Sequence, residues 1–169
     1  MISSKVEATL NKQINAEFWS AYLYLSMSCH FEAEGFNGIA NWFRIQYQEE
    51  QAHALGLLDY LHARDGRVEL QPISEVPTSW PSVKQAFVDT LDHEQRVTAS
   101  INELYATAEQ EKDYATRQKL NWYVAEQVEE EENVRHLIDS LNLIGEDGTG
   151  LFQFDRELAS RTYTPPQGL

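Results

Sequence analysis

LNWYVAEQVEEEENVRHLIDSL, residues Leu120 to Leu141, decides how this chain folds. Leu120, Tyr123, Val134, Leu137 and Leu141 recur at the spacing of one face of an α-helix. The series 120, 123, 127, 130, 134, 137 is apolar except at its two middle positions, Gln127 and Glu130. An amide and a carboxylate therefore stand where leucine is expected, one helical turn apart on the buried face.

The same arrangement occurs upstream. Glu17 is followed 33 positions later by Glu50, with His53 three further on; Glu94 is followed 33 positions later by Gln127, with Glu130 three further on. Each of these residues falls on an apolar helical stripe. Val6, Leu10, Ile14, Ala21, Tyr24 and Ser28 carry the first helix, behind a Ser4–Glu7 capping-box pattern. Ile39, Phe43, Leu57 and Tyr60 carry a second from about 37 to 64, ended by the Asp65–Gly66 turn signal. Val83, Phe87, Leu91, Val97, Ile101 and Leu104 carry a third from about 82 to 108, and Glu111–Asp113 turns into the fourth.

Between the second and third helices, residues 67–81 contain Pro72, Pro77 and Pro81 and no sustained period. A connection of that length in a helix bundle crosses from one end to the other rather than closing a hairpin. The expected fold is all-α: one domain over 1–169, with a four-helix bundle over about 4–142 in up-down-down-up order. A short fifth helix over about 148–160 and a loose tail over 161–169 follow.

Glu17, Glu50, His53, Glu94, Gln127 and Glu130 all point to the bundle axis at similar heights. A buried carboxylate without a partner costs several kcal/mol. For any one glutamate a buried salt bridge is the ordinary explanation, but no Lys or Arg shares these stripes, and Arg44 and Arg135 fall on other faces. Two divalent ions balance four carboxylates. Oxygen donors with one imidazole and no thiolate suit iron, manganese or zinc.

Composition agrees with this direction. A 169-residue chain that is 42% hydrophobic can build one real core, and its formal charge of −14 favours cations and disfavours nucleic acid. Cys29 is the only cysteine, which excludes an internal disulfide. Residues 1–20 lack the apolar core of a signal peptide, and no apolar run approaches a membrane span. A cytoplasmic location, away from membranes, is expected.

Glu17 within QINAEFWSAYLYLSMS, the QEEQAH run (Gln48–His53), Glu94 within LDHEQ and WYVAEQVEEEE (Trp122–Glu132) together resemble the ferritins, most closely the bacterial non-haem ferritins. GLFQFDREL resembles the family's short fifth helix, and the likeness covers nearly the whole chain. It implies a ferroxidase that stores iron as a mineral inside a 24-subunit homo-oligomeric cage, with O2 or peroxide as oxidant. The alternative is an iron-detoxifying or other di-iron oxidase or peroxidase on the same bundle. A rubrerythrin-like peroxidase needs cysteines that this chain lacks.

Residue by residue, the resemblance makes Glu17, Glu50 and His53 the first iron site, with Glu50 bridging. Glu94 and Glu130 become the second, with Gln127 close by. A third iron position would use Glu49, Glu126 and Glu129 with Glu130. Each of those three precedes a stripe residue and so lies on one flank. On spacing alone a solvated acidic face accounts for them equally well, since Glu131 and Glu132 continue the run; the resemblance favours iron. Tyr24 matches a tyrosine beside the site and Trp122 the nearby tryptophan, although both also read as core aromatics. His30, His62, His93 and His136 lie off the pattern and read as surface or structural residues.

Two departures are informative. Bacterioferritins bind haem through a methionine that is Gln51 here, and place a histidine where this chain has Glu130, so haem is not expected. The acids of the animal threefold channel fall on Arg117 and Leu120, and further cavity-facing acids of some animal chains fall on Ala52 and Leu55. A ring of Arg117 would repel Fe(II), which points to another uptake route. Tyr22, Trp19 and Trp42, off the core stripes, are expected at subunit contacts.

Overall fold

Ser3, rather than Ser4, starts the first helix. Its hydroxyl accepts the Val6 amide at 3.3 Å, which leaves Ser4 as the first helical residue. Glu7 is then free of a capping role and instead accepts the amide of Arg67 at 3.1 Å. Asn11 holds the neighbouring turns, donating to the Arg67 carbonyl at 2.9 Å and accepting from the Glu69 amide at 2.7 Å. Glu7, expected to cap α1, thus joins Asn11 in anchoring the start of the crossover.

The computed structural model describes residues 2–169 and is helical throughout its ordered elements. They are α1 (Ser4–Ala33), α2 (Asn37–Ala63), α3 (Val83–Gln110), α4 (Tyr114–Ile144) and α5 (Gly148–Leu158). Three-residue turns join α1 to α2 and α3 to α4, so each pair is an antiparallel hairpin. Gly35 in the first turn has φ +84°, while Lys112 in the second takes φ +57° despite its side chain. Ser82 caps α3 by accepting the Gln85 amide, and Asp113 caps α4 by accepting that of Thr116. The Asp113 carboxylate also receives both Nη atoms of Arg64, at 2.9 and 3.1 Å, which ties the end of α2 to the start of α4.

Two apolar clusters lie at opposite ends of the bundle. One contains Val6, Leu10, Ile14, Leu57, Leu61, Val97, Ile101, Leu104, Leu120 and Tyr123. The other contains Tyr24, Met27, Phe31, Ile39, Phe43, Val83, Phe87, Val134 and Leu141. Along the chain, α1 and α4 run from the first cluster to the second, and α2 and α3 run back. This is the up-down-down-up order, and residues 64–82 must span the bundle's length. Val76 and Trp80 pack into the second cluster along that path, and Ser26 donates to the Pro77 carbonyl at 2.6 Å.

The fifth helix closes the second end. The N-terminus of α2 has no side-chain cap of its own; Asp155 of α5 accepts the amides of Gly38 and Ile39, each at 2.9 Å. The backbones approach so closely that a Cβ at position 38 would lie 1.6 Å from the Asp155 carbonyl oxygen, so glycine is required. Phe154 and Leu158 complete the packing.

Of the three aromatics expected at subunit contacts, only Tyr22 is exposed. Trp42 is buried against Phe43 and Phe87, and Trp19 is partly buried beside His93. Both lie off the narrow stripe but inside the wider apolar arc that a bundle helix buries. The residues after α5 are not loose either: Asn41 donates to the carbonyls of Leu158 and Arg161, holding the tail against α2.

Candidate metal centre

Between the two apolar clusters, each helix contributes polar side chains to one buried layer. They are Gln13, Glu17 and Ser20 from α1; Gln46, Glu50 and His53 from α2; His93 and Glu94 from α3; and Gln127 and Glu130 from α4. All six stripe residues of the sequence pattern are buried, none more than 5% exposed. No Lys or Arg side chain among the described residues pairs with Glu17, Glu50, Glu94 or Glu130; Arg135 pairs with Glu131 at the surface.

Glu17, Glu50 and His53 come together. Each offers one ligand atom, and the three atoms lie within 4.8 Å of one another. Glu17 Oε2, Glu50 Oε2 and His53 Nε2 are sealed from water yet have no hydrogen-bond partner. A native interior leaves few such groups unsatisfied, and one on each of three adjoining residues that could share a cation marks a place for one. His53 Nδ1 stands 3.3 Å from Glu50 Oε2, but burial lowers the imidazole pKa to about 4. The ring is therefore neutral, the form in which imidazole binds metal, and this contact is not an ion pair.

The other half is built differently. Glu94 Oε1 accepts a short hydrogen bond from the Tyr24 phenol, and its Oε2 accepts the Gln127 amide at 3.1 Å. Glu130 Oε2 accepts Gln46 Nε2 at 2.9 Å. Neutral donors thus occupy the oxygens that the first half leaves bare. Gln127 also donates to the Glu94 carbonyl, at 3.3 Å, and it sits with Glu94 rather than in the Glu17–Glu50–His53 group.

Burial raises every carboxyl in the layer. Glu50 is pushed well above the usual range by desolvation, then by the charges of Glu94 and Glu17. Glu130 is likewise raised by desolvation and then by Glu94. Glu94 is raised to about 7, again by desolvation first, with the hydrogen bonds from Tyr24 and Gln127 acting against it. Glu17 is raised by desolvation, opposed by the neighbouring Glu50 carboxyl and by the hydrogen bond from Gln13. Desolvation, reinforced by the Glu94 and Glu50 charges, keeps the Tyr24 phenol protonated. Without a cation this layer holds protons near neutrality, and a cation would displace them.

A model of the ferritin-like domain matches residues 7–144. The chain belongs to the ferritin family. It is 41% identical over 161 residues to a bacterial non-heme ferritin of Bacteroides fragilis, covering 95% of this chain and 100% of that one. Among solved structures it superposes on an open pore ferritin from the hyperthermophilic archaeon Archaeoglobus fulgidus with a TM-score of 0.95. The two are 48% identical, over 96% of this chain and 100% of that one. A form of the Archaeoglobus ferritin engineered to be closed gives a TM-score of 0.96 at 48% identity, over 97% and 100%.

This ferritin-family chain also contains contacts that the stripe pattern did not single out. Gln13 donates to Glu17 at 2.8 Å and accepts from Ser100 at 2.6 Å, while Gln46 reaches Glu130 across the bundle. A signal for both was present: Gln13 and Gln46 precede Glu17 and Glu50 by one turn and are themselves 33 apart. His93 is buried, 2.8 Å from Ser20 Oγ and edge-on to Tyr24, a structural histidine with its pKa lowered to about 4 by burial and then by Arg96. His62 and His136 are exposed. Trp122 packs on the His53 ring, with centroids 5.4 Å apart.

The flank residues are not gathered into a comparable group. Glu126 is half-buried, Glu129 is exposed, and Glu49 already has a partner, with Arg161 Nη2 at 2.6 Å.

Proposed function

We propose that this chain is an iron-storage subunit with ferroxidase activity. Fe(II) is the substrate, bound by Glu17, Glu50 and His53 in one half of the centre and by Glu94 and Glu130 in the other, with Glu50 shared. The observation that carries this reading is the buried Glu17–Glu50–His53 group, whose ligand atoms lie within 4.8 Å of one another in a layer of acids with no paired cation. Two Fe(II) ions supply two electrons, enough to take O2 to the level of peroxide, or peroxide to water.

The residues divide the work. Carboxylates exchange protons for cations and can change binding mode as iron is oxidised. Tyr24 holds Glu94 in place with its phenolic proton, and Gln127 does so from the other side. Gln13 and Gln46 orient Glu17 and Glu130 as outer partners of the ligands. Trp122 and Tyr123 shield His53; the Tyr123 phenol donates to the His53 carbonyl at 2.8 Å.

By its family, the subunit assembles into a hollow cage of 24 copies that retains Fe(III) as a mineral. Gln51 offers no haem ligand, and the charge of −14 disfavours nucleic acid as a partner. No helix among the described residues is long and apolar enough to cross a membrane, in keeping with a cytoplasmic location. Native mass spectrometry combined with aerobic iron loading tests this reading. The expected result is a 24-subunit particle that retains iron far beyond the capacity of its binding sites. A monomer that releases all oxidised iron would instead favour a di-iron oxidase of another kind.

A further inference from the structure

Arg161 occupies a position that matters to the centre. Its Nη2 lies 2.6 Å from Glu49 Oε2, its Nη1 donates to the Trp42 carbonyl at 3.3 Å, and its guanidinium lies 4.9 Å from the Trp42 ring centroid. At the other end of the tail, Leu169 packs over Gly56, where a Cβ would stand 2.5 Å from Leu169 Cγ. Trp42, Glu49 and Gly56 are spaced seven apart and form one line along α2. That line is about 21 Å long at the helical rise, and the residues from 161 to 169, when extended, reach about 27 Å. The tail therefore runs lengthwise along α2 on the flank that carries Glu49, with Glu126 facing it from α4.

A second feature lies between this strap and the centre. Gln46 is fully buried one turn before Glu49, bonds Glu130 through its Nε2 and leaves its Oε1 without a partner. Glu130 of the centre feels the charges of both Glu49 and Arg161, so the flank carboxylate and the cation that holds it lie beside the centre. A charge-assisted arginine contact competes with metal for the same oxygen.

We propose that residues 161–169 form a strap over the α2/α4 flank, and that Arg161 holds Glu49 in place of iron until an ion arriving from the paired site displaces it. The identity of the ion rests on the ferroxidase reading above. The strap then sets how readily a third iron is accepted beside the centre, and Arg161 acts as a gate without touching the pair.

Anaerobic Fe(II) titration against a competing chelator tests this in the full chain and in its Arg161→Gln, Arg161→Lys and Leu169→Asp variants. The first equivalent, at Glu17, Glu50 and His53, should bind equally in all four. Arg161→Gln should hold a third equivalent roughly tenfold more tightly than the parent. Leu169→Asp, which unseats the far end of the strap, should shift it in the same direction, and Arg161→Lys should stay close to the parent. A third equivalent that is unchanged or weaker in both Arg161→Gln and Leu169→Asp overturns the strap. Absence of the first two equivalents in the parent overturns the ferroxidase reading itself, and the strap with it.

Discussion

Glu50→Gln is expected to slow the fast phase of Fe(II) oxidation by about 100-fold or more, with the helices intact. Glu50 lies with Glu17 and His53, and the charges of Glu94 and Glu17 both act on it, so it belongs to both halves of the centre. Glutamine keeps the volume and removes the negative charge that would hold two cations together. The apo-protein should not suffer, because this carboxylate has an oxygen without any hydrogen-bond partner and no cation pairs with it. Near neutrality the metal-free carboxyl already holds a proton, so an amide of the same volume replaces a neutral group and breaks no ion pair. Stopped-flow oxidation and thermal melts separate the two roles. Loss of the fast phase with Tm equal to or above the parent is expected; a large fall in Tm would mean that Glu50 holds the bundle together.

The second large effect is in the stability of the metal-free protein as pH rises. Glu94 is raised to about 7, and Glu50 and Glu130 are raised well above the usual carboxylate range, chiefly by desolvation. A carboxyl whose folded pKa exceeds its unfolded value contributes stability that is complete below the unfolded value and lost as pH rises through the folded one. His53 and His93 act in the opposite sense: each is lowered to about 4, so their contribution is lost as pH falls below the usual 6.5. Above pH 6.5 only the acids change. Tm should therefore fall by about 5 °C or more between pH 6.5 and about 8.5. A divalent ion that balances the acids should abolish that fall. A metal-free Tm that is flat or rising across the window contradicts the charge description of the layer.

The fold was readable because one pattern carried both structure and chemistry. Apolar residues at helical spacing located the four long helices, the GLFQFDREL likeness the fifth, and the length of the Pro-containing segment 67–81 implied the crossover that the order of the two core clusters bears out. The polar substitutions on those stripes located the buried layer, because a residue at a core position is buried whatever its type. Side chains off the stripe were harder to place. The offset of Trp42 from the stripe points to the surface, yet a bundle helix buries a broader arc and Trp42 is buried. Ser3 rather than Ser4 caps α1, a shift of one residue that spacing does not resolve. The Arg161–Glu49 contact joins residues 112 apart in a segment with no periodicity, so no local pattern could announce it. Gln13 and Gln46 carry no such mark, because glutamine on a helix face reads as solvent-facing until its partner is known.

The asymmetry of the centre is the other product of the structure. Glu17, Glu50 and His53 each keep a buried polar atom without a partner, whereas Glu94 and Glu130 already accept hydrogen bonds from Tyr24, Gln127 and Gln46 that offset part of their charge. The first ion should bind more tightly than the second.

Anaerobic Fe(II) titration, followed by rapid mixing with O2, tests the paired site most directly. Two equivalents per subunit are expected to bind in sequence, the first more tightly, with proton release on binding and oxidation much faster than that of free Fe(II). Saturation at no more than one equivalent, or oxidation at the rate of free Fe(II), would contradict it.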